Sequence, residues 1–266
     1  MIKMLVLDID GTIFRKDYTA SQRVKDTLKR LSEKGIKVVL CTGRMYAATK
    51  LIAEELGLKT PVICYQGGLV KDFCNEEKTL HECTMPPELA RGVITELKKR
   101  NVFFNLYVND VLMVEEDSRL IRDYVDARNI EYKVIGTCDG LDLNGVNKIL
   151  AIDDDTELIE KLQKEMAEKY KDKLYVVRPT PRFCEFSSLD ATKGNAVRFL
   201  AELWGIKKEE IMACGDQDND IEMLLAAGTK VAMGNGSEAL KAVADYVTDT
   251  VDNDGVPKAV EKFIDL

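Results

Sequence analysis

The chain is poor in the residues on which several common catalytic designs depend. It has one histidine, His81, among 266 residues. A zinc site built on several histidines is therefore excluded, and a Ser-His-Asp triad would have one candidate base. Alone in its surroundings, His81 reads as a solvated or partly packed loop residue. The seven cysteines are odd in number, contain no C-x-x-C pair and mostly lie in apolar strand-like runs, so they read as reduced, buried thiols of a cytoplasmic protein. No basic stripe is present. Lys and Arg total 38 against 46 Asp and Glu, for a net charge of -8, and the lysines are spread among acids, which argues against a nucleic-acid partner. No apolar run approaches the length of a membrane span. The opening "MLVL" is too short, and too soon followed by aspartate, to be a secretory signal. Repeats and low-complexity segments are also lacking.

Against this background "LVLDIDGTIF", Leu5 to Phe14, stands out. Its aliphatic start reads as a buried parallel strand, where an unpaired carboxylate is expensive. Alternation would put Asp8 and Asp10 on one face, with Gly11 allowing a sharp turn. Carboxylates converging at a strand's carboxyl end lie where open α/β sheets bind ligands, and a bound cation is the simplest reason to hold like charges together. A lone D-x-D is weak evidence, but three segments add to it. "CTGR" sets Thr42, Gly43 and Arg44 after the second strand, offering a hydroxyl, a backbone N–H and a guanidinium to phosphate oxygens. "TKGNA" puts Lys193 in the first turn of a helix, against the helix dipole, so Lys193 should face an anion. "ACGDQDNDIEML" closes a strand on Asp216 and then presents Asp218, Asn219 and Asp220.

The periodicity predicts strand and helix in alternation over residues 1–83: "IKMLVLD", a helix from about Ser21, "IKVVLCT", a helix ended by Gly57, and "PVICY" as a third parallel strand. Residues 84–189 read as a separate α+β domain, with a helix from Pro87 to Lys99 and a hairpin turning at Asn109 and Asp110. Over 190–266 the parallel-sheet pattern resumes, with strands "IMACGD", "KVAMG" and "YVTD", a helix from Asn219 and a last helix after Pro257. The expected fold class is α/β, a doubly wound, Rossmann-like parallel-sheet core interrupted by an inserted α+β cap.

With "DIDGT", "TGR", Lys193 in "TKGNA" and "GDQDND" in this order, the chain resembles haloacid dehalogenase superfamily phosphatases of the Cof type, subclass IIB, whose large α/β cap lies between the second and third motifs. One departure is Gln66-Gly67-Gly68, where many relatives read Asn-Gly. The resemblance implies a Mg²⁺-dependent phosphatase with Asp8 as nucleophile and Asp10 as general acid and base. It further implies that Asp8, the main-chain carbonyl of Asp10 and Asp216 ligate the metal with Asp220 close by. Lys193, Thr42 and Asn219, with Gly11, Gly43 and Arg44 in the same loops, would hold the phosphoryl group. The implied substrate is a small phosphorylated metabolite such as a sugar phosphate, and the implied state a monomer or weak homodimer. A phosphomutase and a non-catalytic phospho-aspartate receiver share parts of this pattern. Receivers are about half this length and have no inserted cap.

The final cap segment, "RPTPRFCEFSS", alternates so that Arg182, Cys184 and Phe186 would share one face and Phe183 and Glu185 the other. Arg182 and Glu185 are accordingly candidates for choosing among leaving groups. Two further stretches are set aside: Asp153 to Asp155 as a solvated helix entrance, and "GNGSEA", Gly234 to Ala239, as a tight strand-to-helix turn instead of a dinucleotide fingerprint.

Overall fold

The computed structural model describes residues 1–126 and 130–265. In chain order the first stretch forms β1 (Met4–Leu7), α1 (Gln22–Glu33), β2 (Lys37–Leu40), α2 (Tyr46–Glu55), β3 (Val62–Cys64), β4 (Leu69–Asp72) and β5 (Lys78–Glu82). The middle forms α3 (Pro87–Lys99), β6 (Phe103–Val108), β7 (Val111–Val114), α4 (Arg119–Asp126), β8 (Lys133–Val134), β9 (Val146–Ile152), α5 (Thr156–Lys169), β10 (Leu174–Val177) and β11 (Phe183–Ser188). The last stretch forms α6 (Lys193–Leu203), β12 (Ile211–Gly215), α7 (Ile221–Leu225), β13 (Thr229–Ala232), α8 (Glu238–Val243), β14 (Tyr246–Val247) and α9 (Gly255–Phe263). These elements make two compact units, Met1–Glu82 with Thr192–Leu266, and Cys83–Ala191.

The discontinuous unit is built on an all-parallel sheet in the order β14-β13-β12-β1-β2. Its strands are apolar on both faces, as helices on both sides require. Met4, Val6, Val39 and Ala213 pack with Ala196, Val197 and Leu200 of α6, Met223 and Leu224 of α7 and Leu240 of α8. Leu5, Leu7, Val38 and Leu40 are equally buried and by alternation face the other side, where α1 packs on β2 and against α9. This order puts the ends of β1, β2 and β12 side by side, so the loops that follow them meet.

Two sequence expectations need correction. "PVICY" continues the parallel run only through a single parallel bridge, Ile63 to Cys41; along its length β3 pairs antiparallel with β4, which pairs antiparallel with β5. This small sheet touches the parallel one through a Cys41–Ile63 bridge and the Thr42 N–H donating to the Ile63 carbonyl at 2.9 Å. The strands β4 and β5 carry Lys71, Asp72, Lys78 and Glu82 and show no apolar periodicity to announce them. The last helix starts at Gly255, two residues before Pro257; proline is tolerated there because a first-turn N–H has no intrahelical partner.

The inserted unit has a six-stranded sheet in the order β10-β11-β9-β6-β7-β8, antiparallel except for β7 with β8. Asn109 and Asp110 make its hairpin turn with φ of 50° and 62°, the left-handed pair that a tight hairpin needs. Leu106, Ile149, Ala151, Cys184 and Phe186 pack from one sheet face into a core shared with Val93 and Leu97 of α3 and Ile159 and Leu162 of α5.

Where α1 begins, the Ser21 hydroxyl accepts from the Val24 N–H at 3.1 Å and donates to Asp254 Oδ1 at 2.6 Å. Ser21→Ala removes a helix cap and a tie to the segment preceding α9. It should lower unfolding free energy by about 1–2 kcal/mol, read as a shift in the denaturant midpoint at unchanged slope; an unchanged midpoint would show that the tie carries no stability.

Candidate active site

Asp8 follows the last residue of β1 and is buried. Lys193, the first residue of α6 and also buried, donates to Asp8 Oδ1 at 2.6 Å and to Asp220 Oδ1 at 2.5 Å. The ammonium set against the helix dipole is thus compensated by two carboxylates. Asp220 closes the loop after β12: its Oδ2 accepts from the N–H groups of Asp216 and Gln217 at 2.9 and 3.1 Å. Asp216 accepts from Gln217 Nε2 at 2.9 Å, with the Thr12 hydroxyl at 3.4 Å. One oxygen from each of Asp8, Asp216 and Asp220 lies within 4.8 Å of the others.

Three buried carboxylates face one buried ammonium. Burial, opposed by Lys193 and reinforced by Asp220, Asp216 and Asp10, pushes the Asp8 carboxyl well above its ordinary value. Burial likewise pushes Asp216 up to about 6. Burial alone would pull Lys193 down, but Asp220 and Asp8 outweigh it and hold the ammonium well above its usual range. The cluster is short of positive charge, and its donors are hard oxygens. That combination fits a divalent cation, with Asp8, Asp216 and Asp220 as the side chains able to hold it.

Asp10 lies outside this buried group. β1 ends at Leu7, and Ile13 and Phe14 both donate their N–H groups to the Ile9 carbonyl, so strand alternation does not extend to Asp10. Its side chain is 50% exposed and is gripped by Arg44, Nε to Oδ2 at 2.8 Å and Nη2 to Oδ1 at 2.5 Å. The Arg44 guanidinium lies 5.8 Å from the Phe14 ring centre and 5.5 Å from that of Tyr18. Arg44 is thus committed to the Asp10 carboxylate through a two-pronged fork.

The loop after β3 is the part of the site that sequence reasoning missed. Tyr65 and Gln66 hold φ of 51° and 58°, a strained pair for residues with side chains. Gln66 is buried and accepts from Asn219 Nδ2 at 2.9 Å, while a Cβ on Gly43 would lie 2.4 Å from Gln66 Nε2. Gly67, at φ +105°, approaches so closely that a Cβ would lie 2.1 Å from the Thr192 carbonyl oxygen. Gln66 therefore links the Thr42–Arg44 loop to the Asp216–Asp220 loop, and Thr42 is tied in by its carbonyl, which accepts from the Gln66 N–H at 3.0 Å. Its position at the departure from the family pattern was the available signal. Gly11, at φ +83°, is similarly constrained, since a Cβ would lie 2.3 Å from Asp216 Oδ2.

In the inserted unit, Arg182 precedes β11 in a turn and pairs with Asp154, so it does not share a strand face with Cys184 and Phe186. Glu185 is buried on the face opposite those two and accepts from Lys148 Nζ at 2.9 Å. His81 stacks on Phe199 with ring centres 4.8 Å apart. Asp155 caps α5 by accepting from the Glu157 and Leu158 N–H groups, each at 3.0 Å.

A family model for haloacid dehalogenase-like hydrolases matches residues 5–260. The chain is 31% identical over 282 residues to the putative phosphatase YxeH of Bacillus subtilis, covering 99% of each. It is 27% identical over 266 residues to the 5-amino-6-(5-phospho-D-ribitylamino)uracil phosphatase YitU of the same organism, covering 99% of this chain and 98% of YitU. Among solved structures, TM0651 of Thermotoga maritima is 33% identical with a TM-score of 0.88, covering 100% of this chain and 99% of that one. The subclass IIB sugar phosphatase BT4131 is 25% identical with a TM-score of 0.85, covering 98% of both. The chain belongs to the haloacid dehalogenase-like hydrolase family. Within it, the chain is an enzyme of the Cof-type phosphatase group.

Replacing the one ammonium among three buried carboxylates should expose the charge imbalance. Lys193→Met is expected to destabilise the metal-free protein by roughly 3–5 kcal/mol near pH 8. The deficit should shrink as pH falls and the carboxylates take up protons. Chemical denaturation across pH measures this, and a pH-independent deficit would mean that Lys193 acts through packing alone.

Proposed function

We propose that this protein is a Mg²⁺-dependent phosphatase that hydrolyses a small phosphorylated metabolite through a phosphoenzyme on Asp8. The observation that carries the reading is the buried Asp8–Lys193–Asp220 contact beside Asp216, which joins a nucleophile, a cation and a hard-oxygen metal site at the end of one strand. The names of the relatives support it, because those printed with a substrate are phosphatases of small molecules.

In this reading Asp8 Oδ attacks phosphorus, the bond to the ester oxygen breaks, and Asp10 gives its proton to the departing alkoxide. Asp10, now a carboxylate, takes a proton from water, which attacks the phosphoryl group and returns Asp8 with inorganic phosphate. The Arg44 fork holds the Asp10 side chain in one place for both proton transfers. Lys193 and Thr42 hold phosphoryl oxygens, and Asn219, steadied by Gln66, adds a hydrogen bond. Asp8, Asp216 and the Asp10 main-chain carbonyl, with Asp220 beside them, would hold Mg²⁺, which would supply charge neutralisation for the approach of a carboxylate to a phosphate dianion. The nearby second carboxylate, Asp10, favours transfer to water over a long-lived phosphoprotein.

Choice of leaving group is assigned to the inserted unit. On the sheet face opposite its core lie Asn105, Tyr107, Lys148, Glu185 and Ser187, all buried. Among the described residues, Glu185 Oε1 and the Ser187 hydroxyl have no hydrogen-bond partner. Such atoms suit a polar leaving group, and Glu185 is carried into the proposal on that basis. Arg182, half-buried in its turn, is paired with Asp154. No helix among the described residues is long and apolar enough to cross a membrane, and we place the activity in the cytoplasm, in a monomer or weak homodimer.

Asp8→Asn should abolish phosphate release and prevent ³²P-phosphoenzyme formation, since an amide is a poor nucleophile. Chelation of wild type should stop turnover and Mg²⁺ restore it; near-normal turnover in either case sinks the mechanism. The pH dependence has a defined sign. Asp216, raised to about 6 in the folded chain, keeps a proton that the unfolded chain releases near pH ~4. Stability from that proton is full below pH ~4 and lost as pH rises through about 6. Cation binding must expel it, so this proton alone should make apparent Mg²⁺ affinity climb by roughly tenfold per pH unit below 6, and the raised Asp8 carboxyl should steepen and extend that rise. Calorimetry in buffers of different ionisation enthalpy would detect the released proton, and an affinity flat between pH 5 and 7 would contradict the assignment.

A further inference from the structure

The turn Gly234 to Ser237, set aside as a cofactor fingerprint, holds together segments that the chemistry uses. Asn235 Nδ2 donates to the Gly11 carbonyl at 2.9 Å, and its Oδ1 accepts from the Val251 N–H at 2.9 Å. Both ends of one amide are thereby used, on the backbone of two segments far apart in sequence. Two residues on, the Ser237 N–H donates to the Asp216 carbonyl at 2.8 Å and the Ser237 hydroxyl to Asp218 Oδ1 at 2.5 Å. The Gly234 N–H donates to the Asp249 carbonyl at 3.0 Å. Gly236 lies so close that a Cβ would be 2.9 Å from the Met233 carbonyl oxygen and 3.1 Å from that of Asp216.

These bonds make a four-residue brace with one arm on the loop that carries Asp8 and Asp10 and another on the loop that carries Asp216 and Asp220. The parallel pairing of β1 with β12 ends at Leu7 and Cys214, with a last backbone bond from the Asp8 N–H to the Cys214 carbonyl at 3.1 Å, before Asp10, Asp216 and Asp220. Beyond that point register has to be maintained by loop contacts. Gly11 is where it matters, because Gly11 stands against the Asp216 carboxylate in a left-handed conformation. Rotation of the Gly11–Thr12 peptide would move the glycine and the Thr12 hydroxyl, 3.4 Å from Asp216.

We propose that Asn235 is a positioning residue for the phosphatase reaction: its amide fixes the Gly11–Thr12 peptide and so holds the Asp8–Asp10 turn in register with the Asp216–Asp220 loop. Asn235 touches none of the reacting groups, and its effect is on geometry, where small displacements are costly. The role rests on the phosphatase reading for its catalytic consequence and on the hydrogen bonds alone for its structural one.

Asn235→Asp keeps an oxygen to accept from Val251 and loses the hydrogen given to Gly11; Asn235→Ala loses both. With p-nitrophenyl phosphate at saturating Mg²⁺, both variants should lose roughly tenfold or more in kcat with KM changed less than about threefold. The thermal midpoint should stay within a few degrees of wild type, about what the loss of one or two exposed hydrogen bonds allows. Hydrogen exchange should quicken in the peptide spanning residues 8–14 and remain unchanged in β12. Full kcat in Asn235→Asp, or a kcat loss that merely tracks thermal destabilisation, overturns the catalytic role. Unchanged exchange over residues 8–14 overturns the brace itself. Wild type that releases no phosphate would sink the phosphatase reading, a separate failure, since the exchange comparison judges the brace without turnover.

Discussion

The site depends on the cost of burying three carboxylates around one ammonium. Asp8, Asp216 and Asp220 come from two loops, and each would be expelled to water if its neighbours did not compensate it. Lys193 meets Asp8 and Asp220 directly, backbone N–H groups satisfy Asp220, and Gln217 and Thr12 face Asp216. What these contacts leave over is negative charge, and the raised carboxyls of Asp8 and Asp216 register it. The imbalance is the physical reason why a divalent cation and an incoming phosphate belong to the same place: the cation completes the charge, and the ammonium remains to face a second anion.

The sheet makes this concentration feasible. Parallel strands bring β1, β2 and β12 to a common end, so short loops suffice to gather Asp8, Thr42 and Asp216, and the start of α6 adds Lys193. The close approaches are made where a side chain has been given up: Gly11 against Asp216, Gly43 against Gln66 and Gly67 against Thr192. Asp10 is held differently, half exposed on an arginine fork, which leaves it accessible to water and to a leaving group while Asp8 stays buried. One carboxylate is thus kept dry and the other wet, the separation of environments that the proposed double displacement would use.

Much of this was legible in the residues. Strand and helix alternation announced the parallel core, the Asn109-Asp110 pair announced the hairpin, and α3 runs from Pro87 to Lys99 as its periodicity predicted. The expectation that Lys193 faces an anion followed from its place in a first helical turn. The small antiparallel sheet was not legible, because β4 and β5 are short and charged and carry no apolar period. Nor was the exit of Asp10 from the buried group, because the turn that breaks strand alternation is made by hydrogen bonds to the Ile9 carbonyl. The inserted unit's polar face was only half visible: alternation separated Glu185 from Cys184 and Phe186, whereas Lys148, Asn105 and Ser187 join it only through strand pairing.

The sequence by itself determined the family and its scaffold, since the four motifs supply the carboxylates, the ammonium and the hydroxyl that the proposed chemistry would use, and local periodicity announces the parallel core. Only the tertiary structure decided how those groups share charge. Arg44 is taken up by Asp10, Gln66 enters the site, and Asn235 joins the Gly11 carbonyl to the Val251 N–H. Each depends on residues far apart in the chain meeting at hydrogen-bond distance, and local sequence patterns, which act over a few residues, carry no record of such meetings.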